Sequence, residues 1–435
     1  MNGEIRKRIE AVRRGEVPEG YSMDRAMLYP DDWVPPVPLN TVLKENKARN
    51  DDLAFGKEDV LSVSGEQGIV NQMQLLGRSY AGESVAPYHV VETGDVVYTK
   101  SPLKENPYGI IKQNRGKPGI VSTLYAVYHC DNPITGQYLE NYFSIDSFLN
   151  NYLKPLVKRG AKNDMKVNNE DVLLGRIPLP PIDEQRKINE VIAHFDQLIE
   201  LKQKRVEELK QLKKTCLAKM FPREGENVPE LRFPGFSTPW EQRKFSDLVL
   251  IERGGSPRPI DDFITDAPDG LNWVKIGDAP AQGRYITKTA EKIKPEGLSK
   301  TRQVQPGDLI LSNSMSFGKP YIMGINGCIH DGWLLIRDTH CRFDLKFLCH
   351  MLGTDQMLDQ YRMFAAGSTV NNLNKELVGS TTVSLPSVKE QRVIGECLES
   401  IDTLITLHQR ELEAEQQKKK ALMRLLLAGL VRVPG

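Results

Sequence analysis

The sequence lacks the features that would place it in a membrane or in an oxidising compartment. No uninterrupted apolar run approaches the ~18–20 residues of a membrane span, and the polar start MNGEIRKRIEAVRRGEVPEG is unlike a secretory signal. The six cysteines are scattered and include no Cys-x-x-Cys pair, so they do not suggest a disulfide framework. We therefore expect a cytoplasmic protein with reduced thiols.

The sequence also lacks an excess of charge of either sign. Its formal net charge is +1, although 26% of its residues are charged. This balance neither demands nor excludes a nucleic-acid partner, because phosphate binding depends on how Lys and Arg cluster on the surface. A chain of 435 residues is long enough for about two to four domains, each with its own core.

Catalytic signatures are missing or incomplete. The stretch NPYG at 106–109 lacks the second proline of the Asn-Pro-Pro-aromatic pattern with which amino-methyltransferases hold a target base. GLSKT at 297–301 lacks the Gly-Lys pair of a nucleotide-binding loop. Asp31, Glu45 and Lys47 match a metal-dependent nuclease only formally, because Asp31 suits a turn before the first strand. We therefore expect no catalytic residues and no cofactor.

Histidines and cysteines gather between residues 328 and 350 without the spacing of a zinc site. Only Cys328 and His330 come near the paired spacing that zinc ligands prefer. The sequence therefore predicts core cysteines on strands and a helix, and no metal site.

A long segment without Pro or Gly begins after LPP at 179–181 and ends at Pro222. Apolar residues recur there in steps of three and four, the spacing of one helix face. A helix from Asp183 to Phe221 would be about 58 Å long at ~1.5 Å of rise per residue. Lys202 and Lys213 interrupt the apolar face, which contains Ile188, Ile192, Phe195, Ile199, Val206 and Leu209.

The same pattern returns at the C-terminal end. LPSVKEQRVIGECLESIDTLITLHQRELEAEQQKKK, which begins at Leu385, aligns on the first segment without a gap. His408 and Lys419 fall where Lys202 and Lys213 interrupt the first face, so we expect the two helices to pack against each other. The second apolar face contains Ile394, Leu398, Ile401, Ile405, Leu412, Leu422 and Leu426.

The segments before the two helices resemble each other more loosely. GDVVYTKSPLKENPYGI at 94–110 matches GDLILSNSMSFGKPYIM at 307–323, and short β-branched and aromatic runs favour strand-rich α/β modules. The prediction is two α/β (α+β) domains and two long helices. Its segments are an N-terminal helical extension (1–30), a first domain (31–182), a central helix (183–222), a second domain (223–388) and a C-terminal helix (389–435).

The motif that recurs before each helix resembles a known family. PLPPIDEQRKI at 178–188 and SLPSVKEQRVI at 384–394, each followed by a long helix, are similar to the specificity subunits of type I restriction-modification systems. LSVSGEQGIV at 61–70 and AAGSTVNNLNKELV at 365–378 give weaker support. The resemblance covers almost the whole chain.

The resemblance implies two target-recognition domains joined by two antiparallel coiled-coil helices, in an approximate two-fold repeat. Each domain would read one half of a split site in double-stranded DNA. The helices would set the gap and bind two methyltransferase subunits, and restriction subunits with translocase and endonuclease activity would complete the assembly. In this family the specificity subunit has no catalysis of its own.

Residues for DNA contact are predicted from Gly/Pro-rich loops that mix cations with amides and hydroxyls, the partners of phosphates and base edges. The lysines at 213–214 and 418–420 are instead expected to form a solvated helix face. Two alternatives remain open: a specificity module of another methyltransferase or endonuclease system, and a coiled-coil scaffold that does not bind DNA. The predicted DNA contacts are Lys100, Ser101, Lys104, Lys112, Gln113, Asn114, Arg115, Lys117, Arg253, Ser256, Arg258, Asn313, Ser314, Ser316, Lys319, Ser368, Thr369, Asn371 and Asn372.

Overall fold

The chain divides into two compact units in the computed structural model, which describes residues 3–25, 27–159, 165–313, 317–365 and 373–433. Unit 1 comprises Met1–Ile199 with Ala414–Gly435, and unit 2 comprises Glu200–Glu413. Within the described ranges, no helix is both long and apolar enough to cross a membrane.

Short strands and short helices alternate along the chain, and two helices are far longer than the others. The helices are α1 (Gly3–Arg13), α2 (Gln72–Leu76), α3 (Pro133–Phe143), α4 (Asp146–Leu153), α5 (Asn169–Val172), α6 (Ile182–Lys219), α7 (Leu345–Leu352), α8 (Asp355–Ala365), α9 (Lys375–Ser380) and α10 (Val388–Leu427). The strands of unit 1 are β1 (Tyr21–Asp24), β2 (Met27–Pro30), β3 (Val34–Pro38), β4 (Leu43–Glu45), β5 (Leu61–Ser64), β6 (Gly68–Asn71), β7 (His89–Val91), β8 (Val96–Thr99), β9 (Ile110–Gln113), β10 (Gly119–Val121), β11 (Tyr125–Cys130), β12 (Lys158–Arg159), β13 (Met165–Lys166) and β14 (Arg176–Leu179). The strands of unit 2 are β15 (Glu241–Lys244), β16 (Leu250–Arg253), β17 (Leu271–Val274), β18 (Tyr285–Ile286), β19 (Glu291–Ile293), β20 (Arg302–Val304), β21 (Leu309–Ser312), β22 (Pro320–Met323), β23 (Gly327–Ile329), β24 (Trp333–Arg337) and β25 (Thr382–Leu385).

The main sheet of unit 1 has the antiparallel order β4-β11-β8-β9. Every residue of β8 is buried, because both faces of the sheet are covered. Tyr98 and Tyr128 face a core that includes α3 and α4, whereas Val97 and Val127 face a second core with β5, β7 and β10. Burial on both faces explains why β8 shows no polar alternation.

The main sheet of unit 2 repeats this order as β16-β24-β21-β22 and adds β18 in parallel to β22. Its central strand β21 is also buried throughout. Leu309 and Leu311 face the core that contains α7 and α8, and Ile310 faces a separate core with Trp333. The predicted α/β (α+β) class is confirmed, and the repeat extends to strand order.

The Gly-Asp pair before the central strand of each unit shapes a turn. The carboxylates of Asp95 and Asp308 accept a hydrogen bond from the backbone amide three residues earlier, at 3.0 and 2.8 Å. Asp95 also lies 3.1 Å from His129, and Asp308 accepts from Arg337 at 2.9 Å. The shared pair is therefore a structural feature of both sheets.

The Glu-Gln-Arg triplet begins each long helix. Before it, β14 pairs with β3 in unit 1, and β25 pairs with β15 in unit 2. The amide of Gln185 then donates to the carbonyl of Pro180 at 2.8 Å, and the amide of Gln391 donates to that of Pro386 at 3.1 Å. Each glutamine thus ties the first helical turn to the residue that follows its own strand.

In unit 1 the start of α6 packs with the end of α10. Ile188 and Ile192 share one core with Leu426, and Lys419 pairs with Asp196. Because early residues of one helix meet late residues of the other, the two segments are antiparallel. This part of the apolar face also packs into the core of unit 1, beside α3 and α4.

In unit 2 the remaining segments of the same helices are also antiparallel. Lys202 lies 3.0 Å from Glu411, and Lys213 pairs with Asp402. The lysines that interrupt the apolar faces therefore form ion pairs across the helix pair. The expectation of a solvated lysine face was wrong for Lys213 and Lys419, whose side chains are only 18% and 22% exposed.

The predicted apolar faces are largely covered. Among its described residues, the N-terminal segment at 1–30 is helical in α1 and then forms the antiparallel hairpin of β1 and β2. Helix α10 ends at Leu427, well before the predicted end of the C-terminal helix. Buried positions of the two apolar faces are Ile188, Ile192, Val206, Leu209, Ile394, Leu398, Ile401, Leu412 and Leu426, and half-buried positions are Phe195, Ile199, Ile405 and Leu422.

Candidate nucleic-acid interface

Two predicted contact residues of unit 1 hold the backbone of a turn. The amide of Gln113 donates to the carbonyls of Gly94 and Pro133 at 3.2 and 3.1 Å. The amide of Asn114 donates to the carbonyls of Glu92 and Lys117 at 3.0 and 3.1 Å. Both side chains are buried, so the structure does not present them to a ligand. An Asn or Gln side chain in a turn can bind either the turn's own backbone or a ligand, and the sequence does not show which.

Lys112 and Arg115 lie in a cleft of unit 1 that also contains acidic side chains. The cleft of about 300 Å³ is lined by these two cations with Glu140, Asp196 and Lys419 among others. Arg115 lies 2.8 Å from Glu140. Burial lowers the pKa of Lys112, and Glu140 opposes this shift. The internal pairing leaves little net positive charge for a phosphate.

The other predicted residues of unit 1 lie in surface loops. Ser101, Lys104 and Lys117 are exposed, and Lys100 is half-buried in a polar pocket with Glu45. Burial lowers the pKa of Lys100, and Glu45 opposes this shift. Lys104 lies 3.8 Å from the neighbouring Glu105, an exposed pair that DNA phosphates could replace at little cost.

Unit 2 brings predicted and unpredicted polar residues together around a larger cleft. Ser256 and Arg258 line a cleft of about 760 Å³ with Lys275 and His330. Arg253 lies beside it, with its Nε donating to the carbonyl of Asp331 at 3.3 Å. Lys275 was not predicted, and His330 was considered only as a zinc ligand. The position of His330 in a tight turn between two strands was the available signal. The full lining is Ser256, Arg258, Ile260, Asp261, Ile264, Trp273, Lys275, Glu291 and His330.

The remaining predicted residues of unit 2 divide into three groups. Asn313 is buried, and its amide donates to the carbonyl of Asp331 at 2.7 Å, so it supports a turn. Lys319 is exposed, with its ammonium group 5.4 Å from the ring centroid of Tyr321. The third group lies outside the described residues: Ser314, Ser316, Ser368, Thr369, Asn371 and Asn372.

A buried carboxylate in unit 1 joins the start of α6 to residues at both ends of the chain. Glu184 accepts from Nε1 of Trp33 at 3.0 Å and from Arg432 at 2.6 and 2.7 Å. Arg432 also donates to Asp32 at 2.8 and 2.7 Å. The hydrogen bonds to both carboxylates raise the pKa of Arg432, and the guanidinium lowers the pKa of Asp32.

Unit 2 contains the same junction. Glu390 accepts from Arg232 at 2.7 and 2.8 Å and from Nε1 of Trp240 at 3.3 Å. Neither junction was predicted, although the recurrence of Arg-x-Pro-Gly at 232–235 and at 432–435 was a visible signal. Bidentate pairs of this kind fix geometry as well as charge. We call the contacts of Trp33, Glu184 and Arg432, and those of Trp240, Glu390 and Arg232, the two helix-start junctions.

One group of side chains in the described ranges has the donor types of a metal site. Nε2 of His350 lies 3.9 Å from carboxylate oxygens of Glu399 and Asp402. Asp402 already pairs with Lys213, and it accepts from Arg284 at 3.0 Å. Burial lowers the pKa of His350 to about 2, and Arg284 and Lys213 act in the same direction. These two cations would repel a metal ion, so we interpret the group as a neutral imidazole beside a buried ion-pair network.

Sequence comparisons find a matching family and similar proteins. The family model of the type I restriction modification DNA specificity domain matches residues 110–211 and 238–416. The type I restriction enzyme MjaVIII specificity subunit of Methanocaldococcus jannaschii is 26% identical over 333 residues, which are 73% of this chain and 76% of that protein. The putative type I restriction enzyme MjaX specificity subunit of the same organism is 25% identical over 362 residues, 81% of each chain.

Solved structures share the fold. A chain from a study of complex assembly and conformational transition of the type I R-M system has a TM-score of 0.55 at 18% identity, covering 96% of this chain and 100% of that chain. The type I restriction-modification system S subunit from M. genitalium has a TM-score of 0.54 at 11% identity, covering 95% of this chain and 99% of that chain.

Proposed function

The chain belongs to the type I restriction modification DNA specificity family, and we propose on that basis that each of its two units reads one half of a bipartite site in double-stranded DNA. The long helices dock two methyltransferase subunits and set the gap between the half-sites. Restriction subunits with translocase and endonuclease activity complete the assembly. The complex acts on the DNA of the cell and on foreign DNA that enters it, and we therefore place it in the cytoplasm.

One observation carries this proposal: the units share a framework and differ in their surface loops. Both contain a four-stranded sheet of the same order and the same helix-start junction. The polar groups at their loops differ, from the paired charges around Lys112 to the cleft around Arg258. Two similar frameworks with different polar surfaces suit two half-sites of different sequence.

We assign methyl transfer and DNA cleavage to the partner subunits. The NPYG stretch, the one partial match to a methyltransferase motif, serves as a turn. The carbonyl of Asn106 accepts from the amides of Leu103 and Gly109, both at 3.1 Å, and its side chain donates to Asp146 at 3.0 Å. These bonds give Asn106 a structural role, so we place no target base there.

The proposal is tested by methylation assays with the purified chain and its cognate methyltransferase subunits. We expect no methyl transfer from a labelled donor by the chain alone, and transfer at one bipartite sequence by the mixture. Methyltransferase subunits without the chain serve as the control. Transfer by the chain alone would refute the non-catalytic assignment. Absence of salt-dependent DNA binding by the mixture would favour a coiled-coil scaffold that does not bind DNA.

The role of the helices in spacing is tested by paired insertions. Lys202 lies 3.0 Å from Glu411, which is one turn of α10 beyond His408, so positions 202 and 408 lie within about one turn of each other along the helix pair. Four residues inserted at both positions add ~6 Å, just over one turn. We expect the gap between half-sites to lengthen by one or two base pairs of ~3.4 Å each. A single insertion should lower stability, because it shifts half of one apolar face. An unchanged gap in the fully active double variant would contradict the spacing role.

A further inference from the structure

The polar cleft of unit 2 lies between two backbone segments that hold each other. After β16, the amide of Gly254 donates to the carbonyl of Trp333 at 2.9 Å, and the amide of Gly255 donates to that of Ile329 at 3.2 Å. A Cβ atom at Gly254 would lie 2.2 Å from the carbonyl oxygen of His330. Glycine is therefore required for this approach, and it brings the following loop with Ser256 and Arg258 against the turn at 330–332.

The turn at 330–332 is fixed from several sides. The carbonyl of Asp331 accepts from Asn313 at 2.7 Å, and Nδ1 of His330 lies 3.0 Å from the amide of Gly332. The ring of Trp273 meets the imidazole of His330 edge-on, with centroids 5.6 Å apart. Side chains on such a turn are held in place before a ligand binds, which favours specific recognition.

Internal contacts satisfy some of the polar groups in the cleft and leave others available. Lys275 pairs with Glu291. The hydroxyl of Ser256 is buried without a hydrogen-bond partner among the described residues. Arg258 and Asp261 are exposed, and neither forms an ion pair within the described part of the chain. The cleft thus offers a guanidinium, a hydroxyl and a carboxylate.

This combination fits base edges better than phosphates. A phosphate site needs donors alone, and the carboxylates of Asp261 and Glu291 would repel the DNA backbone. Base pairs present acceptors and donors together in the major groove, where Arg pairs with guanine, carboxylates accept from cytosine, and Ser pairs with either type. A lining that includes both charge signs therefore points to sequence readout.

We propose that the cleft lined by Ser256, Arg258, Asp261 and His330 reads base edges in the half-site of unit 2, with Arg258 as its main specificity-determining residue. The proposal rests on the proposed function of the chain in DNA recognition. It assigns to unit 2 a defined reading surface at the loop after β16 and the turn between β23 and β24.

The test uses the full chain with its methyltransferase subunits and sequences the methylated sites. Arg258→Ala and Ser256→Ala are compared with Lys288→Ala, which removes an exposed cation of the same unit outside the cleft. We expect Arg258→Ala to lower discrimination about tenfold at one or two positions of one half-site, while the other half-site stays unchanged. Ser256→Ala should relax a position in the same half-site, and Lys288→Ala should relax none.

Salt dependence separates base readout from phosphate contact. If Arg258→Ala weakened binding equally at all sequences and reduced the salt slope by about one, Arg258 would be a phosphate contact and the proposal would be overturned. Unchanged specificity in both cleft variants would also overturn it. Failure of the proposed function looks different, because the unsubstituted complex would then show no site-specific methylation.

Discussion

The two units are similar where their long helices begin, and they differ at the turns before β11 and β24. Glu184 and Glu390 occupy equivalent positions, and each binds one tryptophan and one arginine. Both arginines come from an Arg-x-Pro-Gly stretch. In each unit the helix-start junction joins the start of the long helix to its own domain.

The turns before β11 and β24 share one backbone hydrogen bond and differ at every residue. The amide of Tyr125 donates to the carbonyl of Ser122 at 3.1 Å, and the amide of Trp333 donates to that of His330 at 3.0 Å. Unit 1 carries Ser-Thr-Leu at 122–124, whereas unit 2 carries His-Asp-Gly at 330–332. A common scaffold thus supports surfaces of different chemistry, as two different half-sites require.

The largest effect is expected from removal of the junction carboxylates. Glu390→Ala leaves Arg232, whose side chain is 12% exposed, without its partner, and should lower the free energy of unfolding by about 3 kcal/mol. Glu184→Ala should cost about half as much, roughly 1.5 kcal/mol, because Arg432 is 30% exposed and keeps Asp32. The fall in the thermal-unfolding midpoint of each variant measures its loss of stability.

Equivalent surface positions provide the matched controls for this comparison. Glu190 and Glu396 lie six residues further along each helix and are exposed, so their replacement by Ala should change the midpoint little. Equal losses from Glu184→Ala and Glu390→Ala would show that the two junctions do not differ in strength.

An effect of pH that is smaller, for each residue, than the Glu390→Ala loss is expected from two buried histidines, one in each unit. Burial lowers the pKa of His89 to about 4 and that of His350 to about 2. Both values lie below ~6.5, the value in an unfolded chain, so the unfolded state binds more protons in this window and stability falls as pH falls from 6.5. Each histidine should cost about 2 kcal/mol at pH 5 relative to pH 7.

Unfolding midpoints at pH 7 and pH 5 test the histidine effect. His350→Met should shrink the drop in midpoint between these two values, because the methionine cannot take up a proton. His194→Met, at an exposed position of α6, should leave the drop unchanged. An unaltered drop in His350→Met would mean that His350 is not the proton-linked group.

Much of the framework could be predicted because it depends on local pattern and repetition. The spacing of apolar residues predicted both long helices, and the second copy of the motif confirmed the first. Lys213 was misinterpreted because a lysine between helix faces usually reaches water, whereas here Asp402 lies opposite it. That partner depends on helix register, which no single segment reveals.

The candidate site was less predictable, since it depends on contacts between distant residues. Arg432 meets Glu184 across 248 residues, and although Arg-x-Pro-Gly recurs, neither segment indicates which carboxylate its arginine binds. Gln113 and Asn114 have the side chains of base readers, but local backbone geometry uses them in a turn. His330 and Lys275 join Arg258 only because two sheets fold against each other.

Exchange of single domains tests the central claim most directly. Residues 39–175 lie between Pro38 and Arg176, which are register partners on β3 and β14, and residues 245–381 lie between Lys244 and Thr382, partners on β15 and β25. Either segment can therefore be replaced by that of a relative without cutting a helix-start junction.

The methylated sites of each exchanged protein, assembled with the methyltransferase subunits, are then sequenced. The account predicts that replacing residues 39–175 changes one half-site, that replacing residues 245–381 changes the other, and that the gap between them stays the same. A change in both half-sites from one exchange, or in neither from both, would contradict the claim that each unit reads one half of the target.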